Sequence, residues 1–139
     1  MKINISIFIL SLTFVITMPL AHSYTTNCAN ANDQYALNEC VSNYYKNSDS
    51  ELNKLYKEIR KRLAEQPDSI HRLVAAQRAW ISFRDAECNF VSANLQGGSS
   101  YGMIKGMCLS RLTQTRIKDL KTYLSCEEGE LDCPVPPKE

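Results

Sequence analysis

Downstream of Cys28 the chain has no Cys-x-x-Cys pair and a single histidine, His71. Zinc needs clustered Cys and His ligands, so neither a metal site nor any other cofactor is expected. A Ser-His-Asp or Cys-His arrangement would rest on His71 alone, which falls on a polar face. Glycine is scarce: there are five, and Gly97-Gly98 lacks the rest of any phosphate-binding loop. Carboxylates are plentiful, but no pair stands out as a hydrolase dyad. An enzyme is therefore not expected. Excess charge is missing too. The net charge is +1, and Lys2 lies in the leader, so residues 24–139 balance. Nucleic acid and anionic membrane are thereby disfavoured as main partners. There is no run of alternating strand residues and no internal repeat.

What the chain does have is a leader and six cysteines. Lys2 is followed by a mostly apolar run, residues 3–20, and then by Ala21-His22-Ser23. This is the pattern of a secretory signal peptide cleaved after Ser23. A membrane anchor is the competing reading, since a run of about 18 residues is near the shortest span. The small-residue cleavage site favours removal, with no stable anchor afterwards. Cys28 is separated from the apolar run by Thr25, Thr26 and Asn27, which argues against a lipid anchor. All six cysteines follow the leader, so a periplasmic or secreted protein with up to three disulfides is expected. The organisation reads as a signal peptide (1–23), one helical domain (24–125), and a disulfide-closed acidic loop with a Pro-rich tail (126–139).

Four helical segments are predicted. The first runs from about Asn32-Asp33 to Lys46, with Leu37, Cys40, Val41 and Tyr44 at helical spacing. Ser48 followed by Glu51 reads as a capping box that starts a second helix. Its stripe is Leu52, Leu55, Tyr56, Ile59 and Leu63, and Pro67 closes it or opens the next. The third spans residues 68–95. Ile70, Leu73, Val74, Trp80, Ile81, Cys88, Val91 and Leu95 share one face, and Ala76, Ala79, Phe83 and Phe90 widen the apolar arc. So broad an arc implies the central helix. The fourth spans residues 101–124, with Leu109, Leu112, Leu120 and Tyr123 inward. The expected fold is all-α, a small disulfide-stapled bundle with an irregular tail.

Six cysteines allow fifteen pairings, and chain geometry narrows them. Cys88 and Cys108 flank a Gly-rich reversal, so a bridge there would lock a hairpin. Cys28 and Cys40 would be about 18 Å apart in one straight helix, out of bonding reach. They can pair only if Cys28 precedes the helix and folds back, which Asn30 and Asn32 would permit. Cys126 and Cys133 could then close the loop of Glu127, Glu128, Gly129, Glu130, Leu131 and Asp132.

Several polar residues interrupt the apolar stripes. Gln77 and Arg84 sit in that of the third helix, Arg116 in that of the fourth and Asp33 in that of the first. Buried polar groups cost a kilocalorie or more each unless partnered. They form either an internal network, with Asp33 or a nearby carboxylate answering the guanidinium groups, or a ligand cleft between helices. Trp80 borders this group, and Arg78 and Asp85 flank it as a further candidate patch.

The order of these residues resembles a known family. Asn38-Glu39-Cys40 is followed by Glu51-Leu52-Asn53 with Tyr56. Ala76-Gln77-Arg78-Ala79-Trp80 then leads to Phe83-Arg84-Asp85 and Cys88. Gly97-Gly98-Ser99, Cys108, Leu112-Thr113 and Arg116 complete the series. This is similar to the exported bacterial domain named after the lysozyme inhibitor LprI, and the likeness covers residues 28–124. The resemblance implies a helical envelope or secreted domain and, in at least one member, inhibition of lysozyme. Two departures stand out. The lipid-anchor cysteine of some members is missing, and the 126–133 loop and tail lie outside the shared pattern.

The expected function is therefore binding. One reading is an inhibitor of lysozyme or another peptidoglycan hydrolase, presenting a loop stiffened by disulfides. Gly97, Gly98 and Ser99 form one candidate docking loop. Glu127, Glu128, Glu130 and Asp132 form the other, an acidic complement to a basic enzyme. The alternative is a structural or signalling module of the envelope that binds another protein or a small ligand near Gln77, Trp80, Arg84 and Arg116.

Overall fold

The computed structural model describes residues 28–127 and 129–137. The predicted leader with its cleavage site, and Glu128 of the acidic loop, lie outside the described residues. Three long helices are present: α1 (Gln34–Arg62), α2 (Pro67–Ser92) and α3 (Tyr101–Leu124). A short 3₁₀ turn, Ala93–Leu95, continues α2 into the reversal. No strand occurs among the described residues, and none of the helices is long and apolar enough to cross a membrane.

The first two predicted helices are one. Ser48 is not an N-cap but lies mid-helix, where its hydroxyl donates to the Tyr44 carbonyl one turn back. It also accepts from Gln114 Nε2 on α3, at 2.7 Å. Glu51 does not reach back to close a capping box; it pairs with Lys121 of α3. Tertiary partners thus absorb groups that would otherwise favour a local break. The true start of α1 is Asp33, whose Oδ1 accepts the Ala36 amide at 2.7 Å. Its last turn carries Arg60, Lys61 and Arg62, which complement the helix dipole. Pro67 opens α2, where a missing amide hydrogen costs nothing.

The central helix is α3 rather than α2, because α3 packs along both of the others. Its closest approach is to α1. A Cβ on Gly106 would lie 2.7 Å from Val41 Cγ1, so only glycine fits there. Toward the other end the same pair of helices opens to admit larger side chains. Leu52, Ile59 and Leu63 of α1 meet Ile117 and Leu120 of α3, with Ile70, Leu73 and Trp80 of α2 packed alongside. Val135 of the C-terminal tail completes this core at 2% exposure.

The arc of α2 is narrower than its composition implies. Gln77, Arg84, Cys88 and Ser92 are its buried residues. Phe83 is 55% and Phe90 79% exposed, and Ala76 and Ala79 are exposed too. The predicted widening of the arc is therefore not a second buried face. A helix at the side of a three-helix assembly buries one stripe, and here polar side chains mark its centre.

Candidate functional site

Arg84 organises the contact between α1 and α2. Its Nε donates to Asp85 Oδ1 at 2.9 Å, and its Nη1 donates to Asp49 Oδ1 of α1 at 3.2 Å. The guanidinium lies 5.1 Å from the Trp80 ring centre and 5.6 Å from that of Tyr45, a cation enclosed by two aromatic rings and two carboxylates. Burial opposes its charge, but the hydrogen bond to Asp85 and the nearby Tyr45, Asp85 and Asp49 outweigh it and raise its pKa. Burial pushes the Tyr45 hydroxyl above its ordinary value. Arg84 opposes that shift, and Asp49 and Asp85 reinforce it.

A second polar pair joins α2 to α3. Arg116 Nε donates to Gln77 Oε1 at 3.3 Å, and Arg116 also pairs with Asp119 at 3.7 Å. The interrupting residues of α2 and α3 are thus partnered across helix contacts. Asp33 is not among the partners, since it caps α1 and is exposed. The carboxylate that answers Arg84 from another helix is Asp49. Sequence reading passes over it because Asp49 sits in a polar stretch with no apolar neighbours. Arg78 is exposed and makes no ion pair among the described residues.

Three disulfides are present: Cys28–Cys40, Cys88–Cys108 and Cys126–Cys133, with Cα separations of 5.9, 5.5 and 5.5 Å. The first two lie at the end of the molecule where α2 turns into α3. There residues 96–100 form an uncharged loop, with Gly97 at φ 80°. Asn38 Nδ2 of α1 donates to the Ser99 carbonyl at 2.8 Å and ties the loop to the body. The third disulfide lies at the opposite end, in the acidic loop. Glu127, Glu130 and Asp132 are exposed there. Glu130 turns back to accept the Glu127 amide. Cys126, Glu130 and Cys133 converge within 4.8 Å, but their sulfurs are bonded to each other, so they offer no thiolate to a metal. The two docking loops read from the sequence are thus separated by the length of α3, about 36 Å.

A family model described as "Lysozyme inhibitor LprI" matches residues 25–120. The chain belongs to the LprI family. An uncharacterized protein of Rhizobium meliloti strain 1021 is 34% identical to it over 132 residues, covering 86% of this chain and 95% of that relative. The uncharacterized protein YecT of Escherichia coli strain K12 is 28% identical over 109 residues, covering 69% of this chain and 67% of YecT. No solved structure matches the chain significantly. The LprI match contains α1, α2, the 96–100 loop and most of α3, and it ends before Cys126.

Two concavities flank this framework. An open polar groove of about 520 Å³ runs between α1 and α3, lined by Asn43, Tyr44, Asn47, Ser48, Glu51 and Gln114 among others. A more apolar pocket of about 350 Å³ lies under the tail, where Leu63, Leu73, Tyr123 and Val135 meet Arg72 and Arg116. The first is lined by amide, hydroxyl and carboxylate groups, and the second sets two guanidinium groups at the edge of apolar side chains.

Proposed function

We propose that this protein is an exported, non-enzymatic inhibitor that binds lysozyme or a related peptidoglycan hydrolase. The observation that carries the reading is the LprI match over residues 25–120. Three disulfides support an extracytoplasmic address, because such bonds persist in oxidising compartments. In this reading the leader 1–23 is removed on export, and residues 24–125 are the inhibitory domain.

Between the two loops, the reading favours the 96–100 loop as the docking element. It lies inside the matched segment, whereas the acidic loop lies beyond it. It is held at both flanks by the Cys88–Cys108 bond and at its crown by Asn38. A loop fixed in this way loses little entropy on docking. It contains no acidic residue, so it can approach the paired carboxylates of a glycosidase cleft without repulsion. Tyr35, 77% exposed at the start of α1, offers an aromatic contact at the same end.

The test is lysis of purified cell walls by lysozymes of several classes, with the oxidised protein added. Inhibition should survive Glu127→Gln, Glu130→Gln and Asp132→Asn combined, and should be lost in Ser99→Arg. Loss in the acidic-loop variant alone would move the docking surface to the tail end. No inhibition of any class at micromolar protein would remove the reading altogether.

A further inference from the structure

Along the outer side of α2, Ala76, Ala79, Phe83, Ala86 and Phe90 recur at spacings of three and four residues, and all five are exposed. This is the a/d pattern of a helix that packs against another helix. Nothing in the described chain covers it. Two exposed phenylalanines on one apolar seam are uncommon on a monomer and mark an interaction surface.

We propose that the seam is covered by the same seam of a second copy, in an antiparallel two-fold pair centred near Ile81. Three features of the sequence and structure select this occupant and this direction. The first is size. About that centre, Phe83 of one copy falls opposite Ala79 of the other and Ala76 falls opposite Ala86, so the Phe83 ring meets a small residue and no ring is set against another ring. The second is the end of the seam. Phe90 falls opposite Arg72, about 27 Å away along α2. Ser69, Arg72, Leu73 and Ala76 form the α2 wall of the 350 Å³ pocket. The Phe90 ring of the second copy therefore arrives beside an apolar recess, with a guanidinium available to lie over its face.

The third feature is charge. Arg72 and Glu87 make no ion pair among the described residues, although each borders the seam. In the antiparallel register Glu87 of one copy lies within a helical turn of Arg72 of the other, twice by symmetry. A parallel pair would instead set Arg72 against Arg72, Glu87 against Glu87 and Phe90 against Phe90. This assembly is independent of hydrolase inhibition, since the 96–100 loop lies off the seam.

Sedimentation equilibrium of the oxidised protein, exported to and purified from the periplasm of an expression host, tests the pairing. The expected mass is that of a dimer. Phe90→Glu, at a position too exposed to matter for the monomer fold, should weaken it at least ~100-fold. Phe83→Glu serves as a second probe, and circular dichroism checks that both remain helical. Arg72→Glu should weaken the dimer, and Arg72→Glu combined with Glu87→Arg should restore it. A monomer at every concentration would overturn the proposal, as would a dimer indifferent to both phenylalanine substitutions. Failure of the charge exchange to restore pairing would overturn the antiparallel register. A monomer whose hydrolase inhibition is lost in Phe90→Glu would assign the seam to the enzyme instead and equally overturn it.

Discussion

The two ends of the molecule are held in different ways. At the reversal end two disulfides, the Asn38–Ser99 hydrogen bond and the Gly106–Val41 contact fix three segments of backbone to one another. The surface they support is neutral. At the tail end the Cys126–Cys133 bond closes only a seven-residue separation and joins the tail to itself. What attaches the tail to the body is the burial of Val135, while the carboxylates around it face solvent. Covalent bracing and exposed charge are thus placed at opposite ends. Rigidity of the kind that helps an inhibitor belongs to one end, and the means to attract a basic partner belongs to the other.

The largest loss of stability is expected at the reversal end. Replacing Cys88 and Cys108 together by serine should cost about 3 kcal/mol on chain-entropy grounds. Calorimetry should show a lower Tm than for the matching Cys126→Ser and Cys133→Ser variant, whose closed loop is shorter. Gly106→Ala comes next. Its Cβ must displace a β-branched side chain at 2.7 Å, which should cost about 2 kcal/mol in urea unfolding. At the tail end Val135→Ala should cost about 1–2 kcal/mol. Limited proteolysis should then cut within residues 126–137 while leaving the three helices intact. A uniformly unfolded product would show instead that the tail is needed by the whole body. This also means that deleting residues 126–139 is a poor test of the acidic loop, because the deletion removes a core residue along with the charges.

The smallest expected effect lies between the ends, at Tyr45. Its pKa is raised from an ordinary value of 10.0. The unfolded chain therefore gives up the tyrosine proton first as pH rises. The stability tied to this group is complete below pH 10.0 and declines as pH climbs beyond it. Tyr45→Phe should flatten that decline in urea titrations and leave the neutral range unchanged in slope.

Legibility in the sequence followed the range of the interactions. Asp33 as the start of α1 and the extent of α3 were readable because caps and periodicity act within a turn or two. Gln77, Arg84 and Arg116 were visible as polar breaks in apolar stripes, but the groups they bond were not. Asp49 answers Arg84 from 35 residues away. Gln114 holds Ser48 inside α1 from 66 residues away, which turns a convincing local start signal into mid-helix. Gly106 gave no sign of the close approach it permits, since a glycine within a helical pattern looks only tolerated. Phe83 and Phe90 misled in the other direction. Apolar composition can indicate that a face wants cover, but it cannot say whether the cover comes from the same chain.

The six cysteines pair consecutively, first with second, third with fourth and fifth with sixth. A polypeptide threaded through a membrane from its N-terminus would deliver these thiols to an oxidant in just that order. Joining them as they arrive yields the native linkage directly, and each closure spans a short loop with a small entropic cost. On the proposed export route, maturation would need an oxidase but no shuffling of mispaired bonds.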